Sequence, residues 1–162
     1  KARLERVVNH EIIGYRSHYL QFRVPQTWLL LHESGFKYDS TFGYPDAMGF
    51  RNGMCHPYWP FDLKSGRYID VLEIPLGIMD VHLPAGGSAE AWSAVAGMVD
   101  VVAACRGVLT LNFHNDTFSN AGKRGRSRVF RKILDLGRQN NAWMTSGEEI
   151  YRWWVRHGYR AD

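Results

Sequence analysis

The sequence predicts an α/β fold, because stretches typical of strands alternate with stretches typical of helices along its 162 residues. The strand-like stretches are short apolar runs, of which residues 108–113 are the clearest and predict a buried strand. The helix-like stretches carry apolar residues on one face, and Gly or Pro separates many neighbouring elements. We therefore expect parallel strands with helices outside them. Residues 1–162 are expected to form a single domain, since no internal repeat or linker is visible.

The first part of the chain predicts two helices and two strands. Residues 1–9 have the pattern of an amphipathic helix, and residues 12–16 that of a short buried strand. Pro25 is predicted to open a helix that Gly35 ends, because Pro fits the first helical turn and Gly fits just past a helix end. Residues 36–42 are predicted to be a strand bounded by glycines.

The middle of the chain predicts a long loop, a strand and a helix. Residues 43–70 are aromatic and rich in Gly and Pro, which indicates a functional loop or an irregular excursion with at most short strands. Residues 71–79 are apolar nearly throughout and predict the next strand. Ser88 is predicted to cap a helix that stops at Gly107. The apolar face of this helix consists of Trp92, Val95, Ala96, Val99, Val102 and Ala103.

The last part predicts two helices separated by a brief strand. Ser127 is predicted to cap a helix that turns Val129, Ile133, Leu134 and Leu136 inward. Residues 142–145 are predicted to be a strand. Residues 146–149, Ser-Gly-Glu-Glu, form a capping box that starts the last helix, which packs Ile150, Trp153 and Trp154.

Composition limits the classes of function. Hydrophobic residues make up 45% and charged residues 22%, which excludes a disordered chain. Basic residues crowd into 123–131 and 152–160, but the net charge of +4 is too mild, and a stripe with base-reading character too little in evidence, to indicate a nucleic-acid partner. The apolar runs are of strand length, so no membrane partner is expected. Cys55 and Cys105 lie far apart without metal-ligand spacing, which favours a reducing compartment such as the cytoplasm, with Cys105 a small core residue.

His114 is the most informative candidate for chemistry. It follows the predicted strand at residues 108–113, and the carboxyl ends of strands are where α/β folds build their sites. An imidazole titrates near neutral pH and could give a proton to a leaving amine. The alternative is a structural histidine that is hydrogen-bonded at the end of a strand.

Several short motifs together resemble those of one enzyme family. Residues 14–19 (Gly-Tyr-Arg-Ser-His-Tyr), 35–41 (Gly-Phe-Lys-Tyr-Asp-Ser-Thr) and 111–115 (Leu-Asn-Phe-His-Asn) occur in this order, and residues 49–53 and 72–76 extend the likeness. The order resembles that of the polysaccharide deacetylases, the NodB-homology proteins of carbohydrate esterase family 4, over nearly the whole chain. The resemblance implies a distorted (β/α) barrel. It also implies removal of N-acetyl, or sometimes O-acetyl, groups from sugar polymers with a divalent metal, usually zinc.

The resemblance implies three catalytic roles. Arg16 matches the arginine that orients the base aspartate, and a guanidinium beside a carboxylate fixes its orientation. Tyr19 matches the residue whose backbone N–H holds the oxyanion, a type of contact worth about 3 kcal/mol. His114 matches the histidine that protonates the leaving amine. Tyr38, Asp39 and Ser40 match a segment that shapes the barrel core beside the site.

The chain departs from the family pattern at the metal. The family holds its metal with one Asp and two His, the second His four residues after the first, and no His of this chain has such a partner. The preceding Asp–Asp pair is missing too. Both motifs belong before the segment at residues 14–19. We therefore expect a barrel that lacks its first strands, as the later part of a longer protein, with no metal ligands and no bound zinc on this chain alone.

Four further residues are candidates for contact with substrate. His18 either faces the sugar or is an ordinary surface residue, and Asp39 belongs either to the site or to the cap of the following turn. Asp80 comes just after a strand and could line the cleft. Trp59, in the long loop, either stacks on a sugar ring or helps to cover the core.

The sequence thus predicts a carbohydrate deacetylase that acts on acetylated sugars. The alternative is a catalytically inactive barrel remnant that binds a glycan or a protein partner. A barrel without its first strands has an open edge, so self-association is also expected.

Overall fold

The structure, a computed structural model, describes residues 1–84 and 86–159. These residues form two compact units. The first unit consists of Lys1–Phe42, Pro57–Ile74 and the described part of Thr145–Asp162, and the second consists of Gly43–His56 and Pro75–Met144. Both units mix helices with short strands, so the α/β class is confirmed at this level. No sheet of the described residues closes into a barrel.

The first unit is built around a small parallel sheet. Its strands are β1 (Gly14–Tyr15), β2 (Tyr38–Asp39) and β5 (Leu72–Glu73), in the spatial order β1-β2-β5. Gly14 pairs with Tyr38, and Asp39 pairs with Glu73. The outer side of β5 is covered by a bridge to Tyr58, whose N–H and C=O both bond to the backbone of Glu73.

Three helices and a hairpin complete the first unit. The helices are α1 (Ala2–Val8), α2 (Gln26–Glu33) and α6 (Gly147–Arg156), and the antiparallel hairpin joins β3 (Phe61–Asp62) to β4 (Arg67–Tyr68). A 3-10 turn lies at His18–Leu20. The core packs aromatic and aliphatic side chains of α2 against the end of the 57–74 segment. It consists of Trp28, Leu31, Ile69 and Val71, with Tyr15, Phe22, Leu29, Phe36, Phe42 and Tyr58 around them.

The second unit has one pair of parallel strands covered by helices. Strands β6 (Leu76–Met79) and β7 (Thr110–Asn112) are joined through α3 (Ala89–Ala104), and α4 (Asp116–Ser119) and α5 (Arg124–Gln139) follow β7. Short 3-10 turns occupy Asp80–His82 and Ala121–Lys123. The core joins β6 to α3 and α5 through Ile78, Leu83, Val95, Val99, Val129 and Ile133.

Several elements begin and end where the sequence predicts. Pro25 stands just before α2, and Gly35 follows this helix with φ 76°, a conformation that glycine adopts without strain. The Ser88 hydroxyl accepts a hydrogen bond from Ala91 N at 3.2 Å, which caps α3. Ser146 and Glu149 form the predicted capping box of α6.

Other elements differ from the prediction. The run at residues 71–79 forms two strands, β5 and β6, in different sheets; Pro75 between them has no N–H for a ladder. Residues 142–145 form no strand. Ser127 lies inside α5, which begins at Arg124, and its hydroxyl donates to Arg124 O at 3.0 Å instead of capping the helix.

Two finer expectations also need correction. The residues of β7 are half-buried rather than fully buried, and so are Val108, Leu109 and Phe113 beside it. Cys105, predicted to be a core residue, is exposed just past the end of α3.

Within the described ranges, no helix combines the length and the apolar character needed to cross a membrane.

Candidate active site at the carboxyl ends of β6 and β7

Two parallel strands bring Asp80 and His114 together in the second unit. Asp80 directly follows β6, and His114 lies two residues beyond β7. Met79 pairs with Asn112, so both strands end at the same level of the sheet. The carboxyl ends of neighbouring parallel strands form the edge at which α/β folds place polar side chains. The pairing of the two strands brings Asp80 and His114 together, although they lie 34 positions apart in the sequence.

The Asp80 carboxylate accepts three hydrogen bonds although none of its surface is exposed. His114 Nδ1 lies 2.7 Å from Oδ1, and the His114 backbone N–H donates to Oδ2 at 3.3 Å. The Thr117 hydroxyl donates to the same Oδ2. A buried carboxylate is costly unless its oxygens are paired, and all three donors lie on the segment that follows β7.

These contacts decide the charge of Asp80. Burial acts to raise its pKa, but the hydrogen bonds from Thr117 and His114 outweigh burial, so the pKa of Asp80 lies below its ordinary value. Asp80 is therefore ionised at neutral pH and only accepts hydrogen bonds. It follows that His114 Nδ1 carries a proton and donates to Asp80, which leaves Nε2 as the atom free for chemistry.

In this arrangement the His114 side chain is accessible to solvent, while the carboxylate of Asp80 is buried. The His114 side chain is 51% exposed, whereas that of Asp80 is 0% exposed. A buried acid that accepts a hydrogen bond from the inner nitrogen of an exposed imidazole fixes the orientation and the tautomer of the ring. Nε2 of His114 can thus accept or deliver a proton at the surface of the second unit.

Helix α4 holds the third member of this group. Thr117 is 1% exposed, and its backbone N–H donates to His114 O at 3.1 Å. The side chain of Asn115 accepts from Asp116 N at 2.9 Å and caps the helix. Thr117 was not singled out from the sequence. The signal that could have found it is a hydroxyl residue one helical turn after a candidate histidine.

A second polar cluster lies inside the first unit. Asp39 and Glu73 are paired on adjacent strands, and both are 0% exposed. Thr41 donates to the two oxygens of Asp39, from its hydroxyl at 2.7 Å and from its N–H at 2.9 Å. Trp28 Nε1 donates to Glu73 at 2.7 Å, and Phe42 N donates at 3.2 Å.

Burial on adjacent strands governs the pKa of both carboxyl groups. Burial raises the pKa of both residues, and for Glu73 the charge of Asp39 and a hydrogen bond to Asp39 raise it well above the ordinary value. Of the two carboxyl groups, Glu73 is thus the one whose protonated form is favoured more strongly. Asp39 is buried on β2, the middle strand of its sheet. Its contact with a substrate stays a prediction.

Arg16 lies beside this pair. Its Nε donates to Ser40 at two atoms, the carbonyl oxygen at 3.1 Å and the hydroxyl oxygen at 3.0 Å. Its positive charge acts on Asp39 and Glu73. The structure therefore brings Arg16 and Asp39, two sequence candidates, together in the first unit.

Tyr19 and His18 occupy the 3-10 turn after β1 and are exposed. Tyr19 has φ 57° and is 79% exposed, so its ring packs against no core. The ring of His18 lies over that of Tyr19 at 4.2 Å between centroids. A positive φ in a tyrosine is uncommon and marks a constrained turn. The roles predicted for both residues stay predictions.

Trp59 is half-buried in the first unit. Its indole Nε1 donates to Tyr159 O at 2.8 Å, a contact that ties the long loop to the end of the α6 segment. The polar edge of the ring is thus engaged by backbone. Stacking on a sugar through the ring face stays a prediction.

The family resemblance implies a metal, which would need a group of ligand side chains. Among residues 1–84 and 86–159, no group of three or more His, Cys, Asp or Glu side chains is placed to hold a metal ion. The donors described here therefore do not fit such a site. No family model matches the sequence, and no curated protein or solved structure matches it.

Proposed function

We propose that this chain belongs to a carbohydrate deacetylase, which hydrolyses N-acetyl or O-acetyl groups of sugar polymers, with His114 as its general acid. The observation that carries the proposal is the contact at 2.7 Å between His114 Nδ1 and the buried Asp80 carboxylate. A structural histidine at a strand end needs no ionised, fully buried partner, whereas a proton donor benefits from one.

The chemistry assigned to the chain is the delivery of a proton. When the bond between the acetyl carbon and the sugar nitrogen breaks, the amine must leave with a proton. The protonated His114 supplies it from Nε2, while Asp80 holds the ring in place through Nδ1. Thr117 and the His114 backbone N–H keep Asp80 in place during this step.

The remaining site residues enter the proposal through the family resemblance. Arg16 orients a base aspartate, and the backbone N–H of Tyr19 stabilises the oxyanion. Asp39, His18, Asp80 and Trp59 are proposed to contact or shape the bound sugar. For Asp80 this contact is indirect, because its side chain is buried against His114.

The proposal includes a fold and a cofactor. The fold is a distorted (β/α) barrel without its first strands, and its support is that β1-β2-β5 and β6-β7 are parallel sets. The cofactor is a divalent metal, zinc, bound by the full family domain and not by this chain alone. Because the described donors do not fit a metal site, no step is assigned to it here.

Release of acetate from acetylated chito-oligosaccharides tests the proposal. The assay uses the longest natural reading frame that contains this chain, with added zinc, and compares the wild type with His114→Ala. We expect turnover to fall about 100-fold or more, since general acids contribute on that order. A matched control is His32→Ala, which removes an exposed imidazole in the first unit.

The outcome separates the proposal from its alternative. A loss of less than about tenfold in His114→Ala would contradict the acid role. Wild-type protein that binds the oligosaccharide without releasing acetate, with any metal, would instead support an inactive barrel remnant that binds a glycan.

A further inference from the structure

We propose that Cys55 and Cys105 form a redox-active thiol pair, which closes into a disulfide in the presence of a small disulfide such as oxidised glutathione. This modification site is independent of the proposed deacetylase chemistry. It uses the two cysteines of the sequence, both of which are reduced in the structure.

Backbone contacts place the two cysteines beside each other in the second unit. Val108 N donates to Cys55 O at 2.7 Å, which fixes residue 55 against the segment that follows α3. Cys105 is the first residue after that helix. The chain then turns through Arg106, with φ 53°, and Gly107.

Gly107 leaves room for the Cys55 sulfur. A Cβ added at Gly107 would lie 2.2 Å from Cys55 Sγ, a distance that no real side chain allows. The thiol of Cys55 therefore occupies the space beside the 105–107 turn. Cys55 is 6% exposed, so its sulfur is shielded from solvent, while Cys105 is exposed.

His56 joins the two cysteines through its two ring nitrogens. Nε2 lies 3.0 Å from Cys105 O, and Nδ1 lies 3.9 Å from Cys55 Sγ. A carbonyl oxygen only accepts hydrogen bonds, so Nε2 must carry the proton and Nδ1 must present its lone pair. The unprotonated ring nitrogen, Nδ1, is the basic atom of this imidazole, and it thus faces the Cys55 thiol.

These positions divide the reaction between the two sulfurs. Burial raises the pKa of the Cys55 thiol, and the neighbouring Cys105 raises it further, so Cys55 is a poor first nucleophile. The exposed Cys105 meets the oxidant instead. Its thiolate attacks one sulfur of oxidised glutathione, which forms a mixed disulfide and releases the first glutathione thiolate.

The second step closes the pair. Cys55 gives its proton to His56 Nδ1, and the resulting thiolate attacks the Cys105 sulfur of the mixed disulfide. The second glutathione leaves as a thiolate. Two cysteine thiols are thereby oxidised to one disulfide, and one oxidised glutathione is reduced to two molecules of glutathione.

The disulfide would tie the loop around residue 55 to the segment that leads into β7. In a reducing compartment the pair stays open, and a rise in oxidised glutathione closes it. Because a cross-link between distant residues restricts the unfolded chain, the oxidised form should melt at a higher temperature than the reduced form.

The test treats the full chain with oxidised glutathione, blocks the remaining thiols by alkylation and measures intact and peptide masses. We expect the wild type to take up neither alkyl groups nor glutathione, with Cys55 and Cys105 joined in one peptide pair. Cys55→Ser should retain glutathione on Cys105, since no second thiol displaces it. Cys105→Ser should leave Cys55 free and alkylated after denaturation.

Three outcomes would overturn the pairing. They are a wild type that keeps glutathione on Cys105 as Cys55→Ser does, a wild type with two alkylated cysteines, and disulfide-linked dimers in place of an internal bond. Melting provides an independent check: oxidation should raise the melting temperature of the wild type and leave both Ser variants unchanged.

The role of His56 has its own variant. His56→Gln keeps a donor for Cys105 O but removes the base that faces Cys55. We expect the mixed disulfide to resolve about tenfold more slowly near neutral pH, with the rate recovering as the pH rises. An unchanged rate and pH profile would overturn the role of His56 as base.

Discussion

Asp80 is the residue on which the proposed proton transfer depends. Its side chain is buried, accepts from Thr117 and twice from His114, and has a lowered pKa because those hydrogen bonds outweigh burial. The carboxylate therefore holds His114 in the tautomer that has its proton on Nδ1. No other residue in this group can set that tautomer, because Thr117 donates to Asp80 rather than to the ring.

Asp80→Asn should therefore change the tautomer of His114. An amide that turns its NH₂ toward Nδ1 favours the ring form with the proton on Nε2, so nitrogen NMR of the imidazole should show a shift of population toward that form. Turnover should fall about 10- to 100-fold. Asp116→Asn, an exposed carboxylate bonded to Lys123, is the matched control and should change neither. An unchanged ring spectrum in Asp80→Asn would contradict the assigned hydrogen bond.

The Asp39–Glu73 pair makes stability depend on pH in the opposite sense from an ordinary acid. Both pKa values are raised by burial, so the folded state keeps a proton that the unfolded chain has already lost above about pH 4. Folding therefore binds protons at this pair, and the pair's contribution to the unfolding free energy is fully present at low pH and is lost as the pH rises through the raised pKa.

Glu73→Gln should remove most of this pH dependence, because the amide supplies a donor toward Asp39 that never ionises. Denaturant unfolding at about pH 5 and about pH 8 measures the effect. The variant should gain stability relative to the wild type as the pH rises. Glu33→Gln, at an exposed carboxyl on α2, controls for a general loss of charge. Parallel curves for Glu73→Gln and wild type would contradict a raised pKa of Glu73 in the folded state.

Sequence reasoning found the members of these clusters more easily than their pairing. His114 and Asp80 were both singled out, because each follows an apolar run. Their contact depends on the register of β6 against β7, which a short apolar pattern does not specify. The contact between Glu73 and Trp28 was also not predicted, because Trp28 lies on a helix 45 residues away in the sequence.

At the scale of elements, Tyr38 shows how glycines set the spacing of the first unit. A Cβ added at Gly14 on β1 would lie 2.1 Å from the Tyr38 ring, and one added at Gly147 on α6 would lie 2.7 Å from it. The same ring stacks on Tyr151 of α6 at 6.3 Å. The two glycines therefore let a strand and a helix both approach the hydroxyl end of one aromatic side chain.

Gly14→Ala should destabilise the protein by about 1–3 kcal/mol, because the added methyl group overpacks against Tyr38. Gly97→Ala is the matched control. Gly97 lies within α3 with no atom near its missing Cβ, so alanine should stabilise that helix by about 0.5–1 kcal/mol. Thermal or denaturant unfolding measures both. A neutral Gly14→Ala would show that Tyr38 moves aside without cost.

The ends of helices could be predicted from the sequence better than the extent of strands, because the signals for helix ends are local. Ser88, Ser146 and Gly35 act through hydrogen bonds or a φ value within a few residues, so the sequence displays them directly. The prediction of a strand at residues 142–145 was wrong, because apolar residues alone do not provide a pairing partner. The start of α5 was misplaced because no side chain caps it.

At the scale of the whole molecule, each unit has a core of its own, and the first unit presents an open sheet edge. Strand β1 is terminal in the order β1-β2-β5, and within residues 1–84 and 86–159 no strand pairs with its outer side. Glu73 on the opposite edge is covered by Tyr58. Unpaired N–H and C=O groups on an edge favour pairing with another chain.

We therefore expect self-association through β1. Light scattering coupled to gel filtration should give an average mass that rises with concentration above the 18.6 kDa of one chain. Helix α1 offers a competing surface, since Val7 is 79% and Leu4 57% exposed. Val7→Glu with Leu4→Glu removes that apolar face and leaves β1 unchanged, so association should persist in this variant. Loss of association there would assign it to α1, and a concentration-independent monomer in the wild type would refute an open edge that recruits a partner.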